Sequence, residues 1–214
     1  MHLNIADIRK EYSRRKISID EILNNPVDQF EVWLKDAIDA NVPEPTAMCL
    51  STVSHDGSPS SRMVLLKGID QGRLYFYTNY NSRKGQDLES NPYCSLAFYW
   101  PEMERQVTIE GRTGKATAEN SDEYFNTRPR LSRIGAWVSP QSQAISSKMS
   151  ILRDFLKVSA KYIGRDVPRP PFWGGFEVTP QVFNFWQGRP NRLHDRIRYF
   201  LNSDQHWIKE RIAP

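Results

Sequence analysis

Apolar positions recur at helical spacing twice near the start of the chain. Ile5, Ile8 and Tyr12 predict a short basic amphipathic helix over Ile5–Arg15. Phe30, Trp33, Leu34, Ala37 and Ile38 predict a second over Val27–Asn41, with Asn24-Asn25-Pro26 before it and Pro43 and Pro45 ending it. From Thr46 the period shortens to that of strands. Thr46–Ser54, Arg62–Ile69, Arg73–Asn79, Cys94–Trp100, Arg105–Gly111 and Lys115–Glu119 read as six short strands. Turn signals stand at His55-Asp56-Gly57, Asp70-Gln71-Gly72 and Arg112-Thr113-Gly114. Between the third and fourth strands, Ser82–Ser90 reads as a helix capped by Asn81 or Ser82. Helical patterns return at Ser121–Arg128 and from Ile145 to Ile163, with Arg130–Val138 between them. Gly175–Val178, Val182–Trp186, Arg192–Leu201 and His206–Arg211 read as four more strands. Short strands joined by tight turns predict an antiparallel sheet closing into a barrel. The expectation is one α+β domain over residues 1–214, with helices on the outside.

Composition narrows the class. Apolar residues make up 39% of the 214 and charged residues 25%, enough for a packed core. A net charge of +4 is too small for a polybasic nucleic-acid arm. The positive residues are biased toward arginine, 19 against ten lysines, the side chain suited to bidentate grip on phosphate or carboxylate. Cys49 and Cys94 sit in apolar stretches without a CxxC or Cys/His cluster, so neither a metal site nor a disulfide is expected. No signal-peptide pattern or membrane-length apolar run occurs, which points to a soluble cytoplasmic protein without membrane or nucleic-acid partners.

Four clusters carry candidate chemistry. Arg62-Met63-Val64-Leu65-Leu66-Lys67 places a cation at each end of an apolar run, on opposite faces of a regular strand, so the two serve two sites or flank a bulge; taken alone, the run reads as a strand with solvated ends. Ser82-Arg83-Lys84 sets two cations at a helix start, where backbone N–H groups cradle phosphate. Tyr124 and Arg128 share a helix face, and Ser132 follows Pro129: a second phosphate site, or an arginine stabilising a helix end. Arg192-Leu193-His194-Asp195-Arg196, if extended, aims Arg192, His194 and Arg196 to one face, a row that calls for an anionic or electron-rich ligand. Trp186 offers an aromatic edge just upstream. There is no GxGxxG, P-loop or GxSxG signature.

In its long blocks the sequence resembles the pyridoxine/pyridoxamine 5′-phosphate oxidase family, along nearly the whole chain. The blocks are Arg9-Lys10-Glu11-Tyr12, Pro45-Thr46-Ala47-Met48, Arg62–Lys67, Glu104-Arg105-Gln106-Val107, Ser132–Gln141, Phe172–Phe176 and Arg192–Arg196. The resemblance implies an FMN-binding split β-barrel, antiparallel and Greek-key-like with surrounding helices. It implies a homodimer with non-covalent FMN at the subunit interface. Implied FMN contacts are Arg62, Met63, Val64, Leu65, Leu66, Lys67, Tyr77, Thr78, Arg83, Lys84, Gln106, Gln141, Ser142, Trp186 and Arg196. Implied phosphate contacts to substrate are Lys67, Tyr124, Arg128 and Ser132. Arg192, Leu193 and His194 would meet the pyridine ring, with Arg192 and His194 acting in catalysis. Arg9, Lys10, Glu11 and Tyr12 would close over the site, making residues 1–25 a lid or arm and residues 26–214 the barrel with its helices. The implied reaction is oxidation of pyridoxine 5′-phosphate or pyridoxamine 5′-phosphate by O2 to pyridoxal 5′-phosphate, with release of H2O2, and of NH3 from the amine. The rival readings are another flavin split-barrel oxidoreductase and a non-catalytic carrier of flavin or pyridoxal phosphate.

Overall fold

A computed structural model describes residues 16–214. The expected helix over Ile5–Arg15, and with it Arg9, Lys10, Glu11 and Tyr12, lies outside the described residues.

The chain divides into two compact units. One comprises residues up to Met48 with Leu96–Glu110 and Gln181–Pro214; the other comprises Cys49–Ser95 and Gly111–Pro180. The elements in chain order are α1 (Pro26–Asp39), β1 (Ala47–Val53), β2 (Pro59–Leu65), β3 (Gly68–Asp70), β4 (Arg73–Asn79), α2 (Arg83–Ser90), β5 (Tyr93–Trp100) and β6 (Arg105–Lys115). There follow α3 (Ala118–Thr127), α4 (Arg130–Val138), α5 (Lys148–Lys161), β7 (Trp173–Gln187), a 3-10 turn (Pro190–Arg192), β8 (Asp195–Leu201) and β9 (Trp207–Arg211). The strand order is β2-β1-β5-β6-β7-β4-β3, with β8 between β7 and β9. The β3/β4, β4/β7, β7/β8 and β8/β9 pairs are all antiparallel.

In the first unit, α1 starts where the sequence placed its breaker. The Asn25 Oδ1 accepts from the Val27 N–H at 2.9 Å, and Pro26 occupies the first turn, where no N–H is needed. The buried face carries Phe30, Trp33 and Ala37. Phe30 packs on Phe98 with ring centroids 4.8 Å apart, and Trp33 meets Phe185 edge-on at 5.2 Å. Ile38, expected on this face, is half exposed instead. Arg105 stacks over Trp33 at 4.4 Å and bonds Asp36 at 2.8 Å and Gln187 at 3.1 Å. Phe30 is fully buried against aromatic neighbours that cannot collapse into its space. Phe30→Ala is therefore expected to cost about 3–5 kcal/mol of unfolding free energy, read by urea denaturation followed by tryptophan fluorescence.

In the second unit, β4 pairs with the first half of β7, from Leu74 opposite Val178 to Asn79 opposite Trp173. Phe76 stacks on Phe176 at 5.6 Å, and Phe125, Ala136 and Trp173 form a separate cluster with Tyr77 and Tyr124 packed on it.

Three sequence expectations are corrected. Arg105–Gly111 and Lys115–Glu119 are not two strands around a turn. β6 runs unbroken through Arg112-Thr113-Gly114, and α3 begins at Ala118, capped by Thr117. Thr113 is tied to the Pro92 carbonyl by both its N–H and its hydroxyl. Gly111 is there for space: a Cβ at this position would stand 2.4 Å from the Thr179 carbonyl oxygen. Secondly, Gly175–Val178 and Val182–Trp186 are one strand. Pro180 falls between the last pair with β4 and the first with β8, so its missing N–H interrupts neither register. Thirdly, the extended row Arg192, His194, Arg196 does not form. Pro190–Arg192 make a 3-10 turn, Asn191 and Arg192 have φ of 57° and 60°, and β8 starts only at Asp195. Strand alternation therefore does not relate the three side chains.

Candidate active site

The second unit contains a cleft of about 340 Å³ whose lining is rich in cations. Four positive side chains, Arg62, Lys67, Lys84 and Arg128, line it together with Thr78, Gln141 and the rings of Tyr77, Tyr124 and Trp173; no carboxylate among the described residues does. Each arrives by a different local route.

Arg62 points inward from β2, whose inner face alternates with exposed Met63 and Leu65. Its guanidinium donates to the Thr52 hydroxyl at 2.7 Å and to the Ser60 hydroxyl, and lies 3.7 Å from the buried Asp87 carboxylate. Asp87 itself accepts from Thr52 at 2.6 Å and Ser60 at 3.1 Å. One arginine, one carboxylate and two hydroxyls thus fix the back of the cleft. Burial holds the Arg62 pKa below its ordinary value, with Asp87 opposing that shift. Val64 and Leu65 also line the cleft, while Leu66 is buried and does not. β2 ends at Leu65, so Lys67 lies beyond the strand, its N–H bonded to the Tyr75 carbonyl at 2.8 Å. Lys67, Tyr77 and Tyr124 are shared with a second cleft of about 340 Å³ that takes in Tyr75, Asn120 and Glu123.

Lys84 comes from the first turn of α2. Ser82 caps that helix, its Oγ accepting from the Gly85 N–H at 3.4 Å. Gly85 allows the turn to lie against the chain before it, since a Cβ there would be 2.1 Å from the Tyr80 carbonyl oxygen. Lys84 is 7% exposed, and the hydrogen-bond acceptors of its ammonium among the described residues are all neutral: Gln141 Oε1 at 3.0 Å, Thr78 Oγ1 at 3.2 Å and Ser82 Oγ at 3.3 Å. Burial first, and the Arg62 charge second, push its pKa down to about 8. Arg83, next to it, is exposed at the helix start. Ser142, adjoining Gln141, is exposed with φ of 68°.

Arg128 caps the end of α3, its guanidinium carbon 4.6 Å from the Trp173 ring centroid and 5.6 Å from that of Phe125. Its Nη1 is buried and has no hydrogen-bond partner among the described residues. Burial lowers its pKa, and Tyr124 opposes the shift. A buried N–H of a guanidinium left unpaired is costly, which marks a place built for an anionic oxygen. Tyr77 and Tyr124 stack at 3.9 Å, and burial raises both phenol pKa values, so they remain neutral hydroxyls near pH 7. Ser132 sits exposed in the first turn of α4 and is not part of the cleft lining.

The remaining expected residues belong to the first unit. Gln106 is exposed on β6 and bonds Thr108 at 3.3 Å. Trp186 and Arg196 are cross-strand partners of β7 and β8. The Arg196 guanidinium donates to the Ala213 carbonyl at 3.3 Å. Arg192 and Leu193 are exposed, and His194 packs its ring 4.8 Å from Trp186.

Sequence reasoning did not single out Asp87, Trp173 or Asp195. Asp87 lies on the Ser82–Ser90 helix three residues after Lys84, and sharing that residue's buried face was the one signal of an inward position. Trp173 stood in the Phe172–Phe176 block, where the paired glycines could have signalled close packing: a Cβ on Gly174 would stand 2.1 Å from the Tyr80 hydroxyl.

Residues 34–163 match the family model described as pyridoxamine 5′-phosphate oxidase, and residues 173–214 match that of the pyridoxine 5′-phosphate oxidase C-terminal dimerisation region. The chain is 55% identical over 214 residues to a pyridoxine/pyridoxamine 5′-phosphate oxidase of Chromobacterium violaceum, covering 100% of both chains. It is 53% identical to one of Haemophilus influenzae, over 99% of this chain and 100% of the other. Among solved structures, PhzG from Burkholderia lata 383, in complex with tetrahydrophenazine-1-carboxylic acid, superposes with a TM-score of 0.89 at 27% identity, covering 96% of this chain and 100% of that one. A pyridoxamine 5′-phosphate oxidase-related, FMN-binding protein from Nostoc punctiforme shares the fold, with a TM-score of 0.70 at 17% identity over 89% and 98% of the two chains. No helix among the described residues is long and apolar enough to cross a membrane.

Proposed function

Since the chain belongs to the pyridoxamine 5′-phosphate oxidase family and has its split-barrel fold, we propose that its two sets of cations divide between two phosphoesters, FMN and the 5′-phosphate of a vitamin B6 substrate. The protein is an oxidoreductase of B6 metabolism. The reaction is oxidation of pyridoxine 5′-phosphate or pyridoxamine 5′-phosphate to pyridoxal 5′-phosphate by O2, releasing H2O2, and NH3 from the amine.

The observation that carries this reading is the pairing, in one cleft, of a buried ammonium with only neutral partners and a buried guanidinium nitrogen with none. Both call for anionic oxygens, and the donor set fits a phosphate-bearing cofactor. Lys84 and Arg83, at the start of α2, would hold the FMN phosphate with Arg62, Thr78, Gln141 and Ser142. The strand from Met63 to Lys67 and Tyr77 would run along the flavin. Gln106, Trp186 and Arg196 would complete the cofactor site. Trp186 and Arg196, with Arg192 and His194, lie within the stretch matching the dimerisation region, which supports FMN held between two copies of the chain.

FMN held by these residues would supply the two-electron redox chemistry that links substrate oxidation to O2. The chain's own residues do the rest. Arg128, Lys67 and Tyr124, with Ser132 on the rim, would grip the substrate phosphate far from the reacting carbon. Fixing the ring in this way converts a collision into an oriented encounter, worth up to roughly 7–11 kcal/mol of barrier in well-aligned cases. Arg192 and His194 would engage the pyridine ring and its phenolic oxygen, and Arg196 would set positive charge near the flavin, favouring its anionic reduced form. Arg9–Tyr12 would close over the bound substrate. The free thiols of Cys49 and Cys94 suit a reducing compartment such as the cytoplasm.

Adding pyridoxamine 5′-phosphate to the FMN-loaded protein in air is expected to yield aldehyde and H2O2 in equal amounts. Flavin binding without peroxide would instead identify a carrier. Turnover of a different flavin substrate alone would identify another split-barrel oxidoreductase.

A further inference from the structure

We propose that Asp195 is a positioning residue that fixes the tautomer of His194, so that this imidazole meets the substrate as a donor through Nε2–H. The proposal rests on the reading of His194 as a substrate contact. Segment 188–194 joins Gln187, the last residue of β7, to its cross-strand partner Asp195, the first of β8. Its middle is strained: Asn191 and Arg192 are consecutive non-glycine residues in the left-handed region. Such a segment keeps one shape only if its surroundings over-determine it.

Two kinds of contact do so. The Arg189 backbone N–H donates to His194 Nδ1 at 3.1 Å. A backbone N–H can only donate, so Nδ1 must be the acceptor, and the neutral ring carries its proton on Nε2. The Arg189 side chain is anchored in turn by Asp195, whose Oδ2 lies 3.6 Å from Arg189 Nε. Asp195 is 7% exposed; its Oδ1 accepts from Arg211 on β9 at 2.8 Å, and its Oδ2 accepts from the Ile17 N–H at 3.3 Å. One carboxylate therefore ties the start of the loop to the strand beyond it, and the loop's N–H selects the ring tautomer. Loss of the charge removes this anchor of Arg189 and lets the ring exchange its proton between nitrogens.

The test is a two-bond proton–nitrogen correlation spectrum of the ¹⁵N-labelled, FMN-loaded protein without substrate. The chain has four histidines, and His194 is assigned from the signal missing in His194→Gln. The wild type is expected to show His194 protonated on Nε2 alone. Asp195→Asn is expected to show both tautomers and to lower kcat roughly 10- to 100-fold, the scale of a small misplacement of a reacting group, with FMN content unchanged. A proton on Nδ1 in the wild type overturns the proposal, and so does an unaltered ring spectrum or an unaltered kcat in the variant. Should the variant fail to fold, the wild-type spectrum still decides. Wild-type turnover of pyridoxamine 5′-phosphate, measured separately, tests the underlying reading.

Discussion

Replacing Lys84 by glutamine is expected to weaken FMN binding roughly 100-fold while leaving the ligand-free chain at least as stable as the wild type near neutral pH. A hydrogen bond from a charged donor contributes about 1.5–3 kcal/mol, or roughly 10- to 150-fold in affinity. The second half of the expectation follows from burial. The folded chain binds the Lys84 proton less tightly than the unfolded chain does, the pKa falling to about 8 from 10.5. The cost of burying the charge is fully present below pH 8 and is relieved as pH rises from 8 to 10.5, so glutamine removes a penalty at pH 7. Ligand binding has the opposite dependence on the same proton. Phosphate needs the ammonium, so wild-type affinity for FMN is expected to fall as pH rises above about 8, and that fall should be absent in Lys84→Gln. Flavin fluorescence titrations at several pH values, with urea denaturation of the ligand-free forms, measure both. A variant that binds FMN normally, or that loses binding only because it unfolds, would contradict the role given to Lys84.

Arg128→Ala is expected to raise KM for pyridoxamine 5′-phosphate by roughly 100-fold while FMN binding is retained. The Nη1 group has no hydrogen-bond partner among the described residues, so its gain is kept for the ligand. The guanidinium held over Trp173 offers two donors in a fixed planar fork, whereas the ammonium of a lysine there is a point charge whose donors are not held in a plane. Arg128→Lys is accordingly expected to recover only a minor part of the loss. Steady-state kinetics with the phosphorylated substrate make the comparison, and an unchanged KM in Arg128→Ala would remove Arg128 from the phosphate site.

Much of this was legible in the sequence where local chemistry decides structure. Asn25-Pro26 before an apolar 3.6-residue period gave α1, and Ser82 ahead of two cations gave α2 with its capped start. Both depend on contacts within a few residues. The errors came where distant chain decides. Arg112-Thr113-Gly114 looks like a turn until Pro92 accepts from Thr113 and Thr179 claims the space at Gly111. Pro180 looks like a strand break until the partners on either side of it are known. Arg192 to Arg196 alternates on paper, but Pro190 and two left-handed residues turn the chain before β8 begins. Asp87 and Asp195 were invisible for the same reason. A buried carboxylate is recognised by the arginine it holds, and Arg62 and Arg211 lie 25 and 16 positions away.

The most direct measurement sets FMN against riboflavin, which has the same ring without the phosphate, in equilibrium titrations of the purified chain. If buried cations reserve their charge for a phosphoester, FMN binds at least 100-fold more tightly, and the difference shrinks toward unity in Lys84→Gln. Equal affinities for the two flavins in the wild type would contradict the account.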